Sequence, residues 1–219
     1  KYDRVLGVSY RAGVFLNISE DHISPVEHRD FEDYFSSKLK LFSQSQTAYI
    51  NMDSDHAQRI AEAAKAARKV VTFGKRPEAD FYGYQIRKED GEIRFRIRCA
   101  QFDAPFALTM PGLFNVENAL AAVAVCTERD IPLAVMQRGL YKARSSGRME
   151  MHASADGKKI AIVDYAHNKL SFEKLFSAMR AEYPGWHIYA VYGCPGGKAY
   201  NRRVELGEIA GKYSDAVYL

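Results

Sequence analysis

Residues 13–42 read GVFLNISEDHISPVEHRDFEDYFSSKLKLF, and the fold turns on how this stretch is parsed. Val14, Phe15 and Leu16 form the short apolar run expected of a strand covered on both faces. The polar segment Asn17-Ile18-Ser19-Glu20-Asp21-His22 follows at its carboxyl end, where open α/β sheets bind their ligands. Phe31, Tyr34, Phe35, Lys38, Leu39 and Phe42 then recur at helical spacing, which puts Lys38 on or beside the inward face. A strand running through a polar turn into a helix is an α/β unit whose turn is free to carry chemistry.

Two uses of Lys38 and His22 follow. A lysine amine that takes up carbon dioxide becomes a carbamate, whose oxygens suit a hard cation such as Mg²⁺, with His22 as the neighbouring nitrogen ligand. Alternatively, Lys38 lays its stem along the core with its ammonium in water, and His22 serves the turn. On the residues alone the second use is the commoner one.

The chain has 219 residues, 47% hydrophobic and 26% charged, the composition of a globular protein with a sizeable core. A net charge of +4, spread without a basic tail or stripe, argues against a nucleic-acid partner. Cys99, Cys126 and Cys194 make neither a CxxC pair nor a disulfide framework, so a reducing, cytoplasmic setting is expected. No apolar run is long enough to span a bilayer, and residues 1–4 lack the apolar region of a signal peptide, so no membrane partner is expected.

Beyond the opening stretch, 47–52, 54–68 and 70–73 read as strand, alanine-rich helix and strand, with Asp53 or Ser54 as cap. This β-α-β unit has no glycine fingerprint and extends the sheet. Alternation over 81–99 around Asp90-Gly91 predicts a hairpin, with Arg94, Arg96 and Arg98 on its solvated face. Residues 110–122, MPGLFNVENALAA, suit a loop entering a buried helix, with Asn115 as cap. Ser145-Ser146-Gly147-Arg148 reads as a linker. A buried strand at 160–163 ends in Asp164-Tyr165-Ala166-His167-Asn168 before a helix at 172–183. Strands at 187–192 and 215–219 flank a glycine loop and a helix. That loop is not a P-loop: Gly193 and Gly197 enclose three residues, and Ala199 stands where Ser or Thr is required.

Several of these segments resemble the Mur ligases, most closely the MurE-type enzymes that add the third amino acid to UDP-N-acetylmuramoyl dipeptide. Asn17, Ser19, Asp21 and His22 match that family's Asn-x-[Ser/Thr]-x-Asp-His, and Tyr34 and Lys38 match its following helix. The runs Pro111-Gly112-x-Phe114-Asn115-x-x-Asn118, Gly147-Arg148-Met149-Glu150 and Val163-Asp164-Tyr165-Ala166-His167 match three further signatures.

The resemblance implies a mixed α/β sheet with helices and a β-hairpin over 1–147, part of a P-loop-type central ATP-binding domain. Residues 148–219 would then be part of a Rossmann-like C-terminal domain. It further implies that His22 and a carbamylated Lys38 hold Mg²⁺, and that Asn115 and Asn118 lie against the adenine of ATP. Arg148 would face the nucleotide phosphates, Asp164 the ribose, and His167 the phosphates. Arg4, eighteen residues before His22, would reach the substrate's peptidyl part, with Lys198 and Arg202 as further anion contacts.

The reaction implied is ATP-dependent amide formation through an acyl phosphate by a monomeric enzyme, its partners being UDP-N-acetylmuramoyl dipeptide and an amino acid. The family's phosphate loop and UDP-binding domain would precede residue 1, and its amino-acid-selecting motif would follow residue 219. This chain alone is therefore expected not to complete the cycle. Folylpolyglutamate synthase, the ligase half of cyanophycin synthetase and a non-catalytic Rossmann-like scaffold are the alternatives.

Overall fold

The apolar runs at 47–52 and 70–73 become the centre of a sheet in the computed structural model, which describes residues 5, 7–25, 27–194, 196 and 199–219. The strands β1 (Tyr10–Phe15), β2 (Ser45–Asn51), β3 (Lys69–Gly74), β4 (Phe81–Glu89), β5 (Glu92–Arg98) and β6 (Asp103–Leu108) form one sheet in that order. Pairing is parallel from β1 to β4 and antiparallel from β4 to β6. Asp90 and Gly91 both take positive φ, 53° and 77°, as a two-residue hairpin turn that follows the strand twist requires.

The chain divides into two compact units, Lys1–Ile18 with Phe35–Arg144 and Ser19–Tyr34 with Ser145–Leu219. In the first, β2 is covered on both faces, Ala48, Tyr49 and Ile50 all being at most 1% exposed. Helix α3 (Asn115–Thr127) sets Val116, Leu120, Val123 and Ala124 against Tyr49, Val71 and Phe73. The ring of Phe15 packs against Phe35 and Phe42, at centroid distances of 6.2 and 5.8 Å. In the second unit, α5 (Lys169–Glu182) and α6 (Asn201–Tyr213) bury Phe172, Phe176, Leu206 and Ile209 with Ala190 of β9 (Tyr189–Val191). β9 pairs in parallel with β10 (Ala216–Tyr218), and β7 (Glu150–Ala153) pairs antiparallel with β8 (Ile160–Val163).

Several expectations are corrected. β1 is not covered on both faces: Phe15 is buried but Val14, on the opposite face, is 37% exposed, and among the described strands β1 pairs only with β2. The helix expected to run through Phe42 stops earlier: α1 spans Phe31–Leu39, and Phe42 opens a short 3₁₀ turn. Lys38 is exposed, because Phe35 is the only buried residue of α1 and a long amine stem reaches water from beside such a face. α2 (Ala57–Ala64) is shorter than 54–68 and takes His56 as its N-cap. Phe114, rather than Asn115, is the N-cap of α3. β8 is half-covered, with Val163 49% exposed. β6, β7 and α4 (Leu133–Lys142) were not anticipated. None of the three cysteines is disulfide-bonded. Among the described residues no helix is long and apolar enough to cross a membrane.

The second unit has an acid-sensitive tie. Asp215 accepts hydrogen bonds from the Ile188 amide at 2.7 Å and the Arg180 guanidinium at 3.0 Å. The amide bond and then the guanidinium pull its carboxyl from 3.8 to about 2. A carboxyl lowered by folding stabilises the fold above its unfolded value and loses that contribution as pH falls through its folded value. Asp215→Asn is therefore expected to flatten the fall in thermal midpoint between 3.8 and about 2. An unchanged acid limb in that variant would show that other carboxylates govern it.

Candidate functional site

The turn after β1 is tied together by its own side chains. His22 takes a positive φ of 57°, uncommon for a residue with a side chain. Its carbonyl accepts from the His28 amide at 3.0 Å, and the Ser24 amide donates to the His28 carbonyl at 3.1 Å. His22 Nδ1 lies 2.9 Å from Glu27 Oε1, while Ser24 Oγ donates to Glu27 Oε2 at 3.2 Å. Burial works against the charge on Glu27, but the bonds from His22 and Ser24 hold its carboxyl below the usual glutamate range. An imidazole whose Nδ1–H is given to a carboxylate keeps its Nε2 lone pair outward, the form in which histidine ligates metals. The rings of His22 and His28 both lie against Tyr34, at 5.7 and 5.3 Å.

Beside His22, Asp21 is 4% exposed and Arg202 is 6% exposed. The Nε and Nη2 of Arg202 both donate to Asp21 Oδ1, at 2.9 and 2.6 Å. Asn168 Nδ2 donates to Asp21 Oδ2 at 3.0 Å. Burial raises the Asp21 carboxyl, yet the bonds from Arg202, Asn168 and the His22 amide outweigh it and leave the group below the usual aspartate range. Arg202, expected to contact a substrate anion, thus has an anion of this chain as its partner.

The segment after β8 forms the second cluster. Both oxygens of Asp164 accept backbone amides, Met149 at 2.8 Å and Ala166 at 2.7 Å. Asn168 caps α5 through a reciprocal pair with Ser171, whose amide donates to Asn168 Oδ1 at 3.0 Å. His167 Nδ1 lies 2.7 Å from the Tyr165 carbonyl. The Tyr165 ring lies 4.7 Å from that of His167 and 4.8 Å from the Arg148 guanidinium. Asp164 also lines a cleft of about 260 Å³ with Ala166, Phe172 and Ile188.

In the first unit, Asn115 is 5% exposed and Asn118 is exposed. Asn118 Nδ2 donates to Asn115 Oδ1 at 3.0 Å, and Asn115 Nδ2 to the Pro111 carbonyl at 2.7 Å. A groove of about 470 Å³ over β5, β6 and α4 contains none of the predicted residues; its Arg94 and Arg96 pair with Glu92 and Asp103. Arg4 and Lys198 lie outside the described residues. Among the described residues no group of three or more His, Cys, Asp and Glu side chains is placed to hold a metal. Sequence offered no signal for Glu27 beyond its nearness to His22, and none that Asp21 would be the anion Arg202 meets. Asn168 did have one: an Asn three residues before a Ser at a helix start is a cap pattern.

Residues 1–126 match the Mur ligase middle domain, and residues 147–219 match the Mur ligase glutamate ligase domain. The chain belongs to the Mur ligase family. It is 38% identical over 207 residues to the UDP-N-acetylmuramoyl-L-alanyl-D-glutamate--L-lysine ligase of Streptococcus pyogenes, an alignment covering 94% of this chain and 41% of that protein. The chain thus spans about two fifths of the length of the curated relatives it matches. A UDP-N-acetylmuramoyl-L-alanyl-D-glutamate--2,6-diaminopimelate ligase structure superposes with a TM-score of 0.68 at 24% identity, over 98% of this chain and 44% of the other. MurF of Acinetobacter baumannii gives 0.78 at 23%, over 94% and 46%. The folylpolyglutamate synthetase of Lactobacillus casei gives 0.68 at 14%, over 95% and 49%. At these identities the three structures establish the α/β fold of the family.

Proposed function

We propose that this chain supplies nucleotide- and metal-facing parts of a MurE-type ligase. Such an enzyme uses ATP to join an amino acid to UDP-N-acetylmuramoyl dipeptide. The observation that carries the reading is the 38% identity to an L-lysine-adding ligase across 94% of the chain. The motif residues at the strand ends support it, and so does the fold shared with peptide ligases. In this reading 1–147 belong to the central ATP-binding domain and 148–219 to the C-terminal domain, and the protein is a cytoplasmic monomer.

The roles follow from the chemistry of each group. Asn115 offers a donor and an acceptor suited to an adenine edge. Arg148 brings a planar, permanently charged fork suited to phosphate oxygens. Asp164 keeps acceptor capacity beyond its two amide bonds for a ribose hydroxyl. Arg4 and Lys198 are proposed as contacts to the substrate's anionic groups. His22 Nε2 and the Lys38 carbamate oxygens would hold Mg²⁺, which when bound offsets negative charge as a carboxylate approaches the terminal phosphate. A carboxylate oxygen would take the terminal phosphoryl group with ADP leaving, and the amine of the incoming amino acid, losing a proton, would then open the acyl phosphate with phosphate as leaving group.

The test is to incubate a protein of the relatives' full length with ATP, Mg²⁺, the dipeptide substrate and either lysine or diaminopimelate. Tripeptide product together with ADP and phosphate is expected. Turnover only with a folate and glutamate would move the assignment to folylpolyglutamate synthesis, and no turnover with intact nucleotide binding to a non-catalytic scaffold. In the same enzyme Asp164→Ala is expected to raise KM for ATP roughly 10- to 100-fold, the worth of a charge-assisted hydrogen bond. Asp164→Asn, which keeps one acceptor, should fall between. Unchanged ATP kinetics in a folded Asp164→Ala protein would remove this residue from the nucleotide site.

A further inference from the structure

We propose that Arg202 is a positioning residue for His22, acting through Asp21. The functional consequence rests on the reading of His22 as a metal ligand; the mechanical part does not. The carboxylate of Asp21 collects four hydrogen bonds: two from Arg202, one from Asn168 and one from the His22 amide. Arg202 and Asn168 stand 181 and 147 residues away in the chain, so the tertiary fold and not the turn itself supplies them. The turn's internal bonds run among His22, Ser24, Glu27 and His28, and Glu27 also takes a hydrogen bond from the Ala199 backbone. The charged, two-pronged attachment comes at Asp21, the residue adjacent to His22.

A buried ion pair is a poor source of net stability, because desolvating both charges offsets most of their attraction. What a two-pronged guanidinium on one carboxylate oxygen does provide is a fixed direction. With both its oxygens so engaged, the Asp21 carboxylate is held with Oδ2 at 3.8 Å from His22 Nε2, beyond hydrogen-bond distance. Glu27 holds the other ring nitrogen. The ring is thus held at Nδ1 by Glu27, while Asp21 fixes the backbone that carries it through the His22 amide.

The experiment measures backbone amide hydrogen exchange in this chain for the parent, Arg202→Met and Arg202→Lys. In Arg202→Met the amides of Ser24, Glu27 and His28 are expected to exchange on the order of tenfold or more faster, while those of β2 and β3 keep their rates. Arg202→Lys, which keeps the charge and loses the fork, should be intermediate. If Arg202→Met fails to fold, the lysine variant decides alone. Parent-like exchange of the three amides in a folded variant overturns the proposal. In a ligase of full length, Arg202→Lys should lower kcat and raise the Mg²⁺ concentration for half-maximal rate, with KM for the dipeptide substrate unchanged. A loosened turn with unaltered kcat and Mg²⁺ dependence would overturn the positioning role. If His22→Ala also leaves both unaltered, it is the metal-ligand reading that has failed.

Discussion

An alanine at position 38 is expected to stop ligation in an enzyme of the relatives' full length, with a loss in kcat on the order of 10²–10³-fold or more. The proposed carbamate forms when the unprotonated Lys38 amine adds to carbon dioxide and releases a proton, which turns a cationic side chain into an anionic oxygen donor. Alanine removes that donor. Lys38 is exposed, and a thermal melt of the alanine variant separates a loss of chemistry from a loss of fold. Arginine should fail as well, since it keeps the positive charge and cannot become an oxygen ligand. Formate or acetate added to the alanine variant should restore part of the rate by supplying a small carboxylate. An alanine variant with parental activity would sink the assignment.

The sheet was legible where its signals were local. The alternation on either side of Asp90-Gly91 marked β4 and β5, and the apolar runs at 47–52 and 70–73 marked β2 and β3. β6 was hidden because Pro105 interrupts a short sequence, although a proline is tolerated at the border of a sheet. The candidate site residues were chosen by type and place, as polar groups at the carboxyl ends of β1 and β8. Their partners were not. Helical spacing gave the angular position of Lys38 but not which neighbours would cover it, and it proved exposed. No periodicity links Asp21 to Arg202, and the clustering of Ser19–Tyr34 with Ser145–Leu219 is a property of the folded chain.

The core of the first unit offers a prediction of comparable size. Leu120 of α3 is fully buried, and its side chain occupies space left by the missing Cβ of Gly83: a Cβ there would stand 2.8 Å from Cδ1 and 3.1 Å from Cδ2. Gly83 sits in β4 opposite Ile97, so alanine there meets no backbone obstacle of its own, only the leucine. Leu120→Ala should cost about 2–5 kcal/mol from lost burial and the cavity left behind. At about 2–4 °C per kcal/mol for a chain of this size, the thermal midpoint should fall by roughly 5–15 °C. Gly83→Ala should cost about 1–3 kcal/mol, because Leu120 must leave its position. In the double variant the new methyl enters the space the leucine vacated. The combined loss should then be smaller than the sum of the two single losses by about 0.5–3 kcal/mol. Denaturant melts of the four proteins measure this directly, and strict additivity would mean that Gly83 and Leu120 do not share the contact described here.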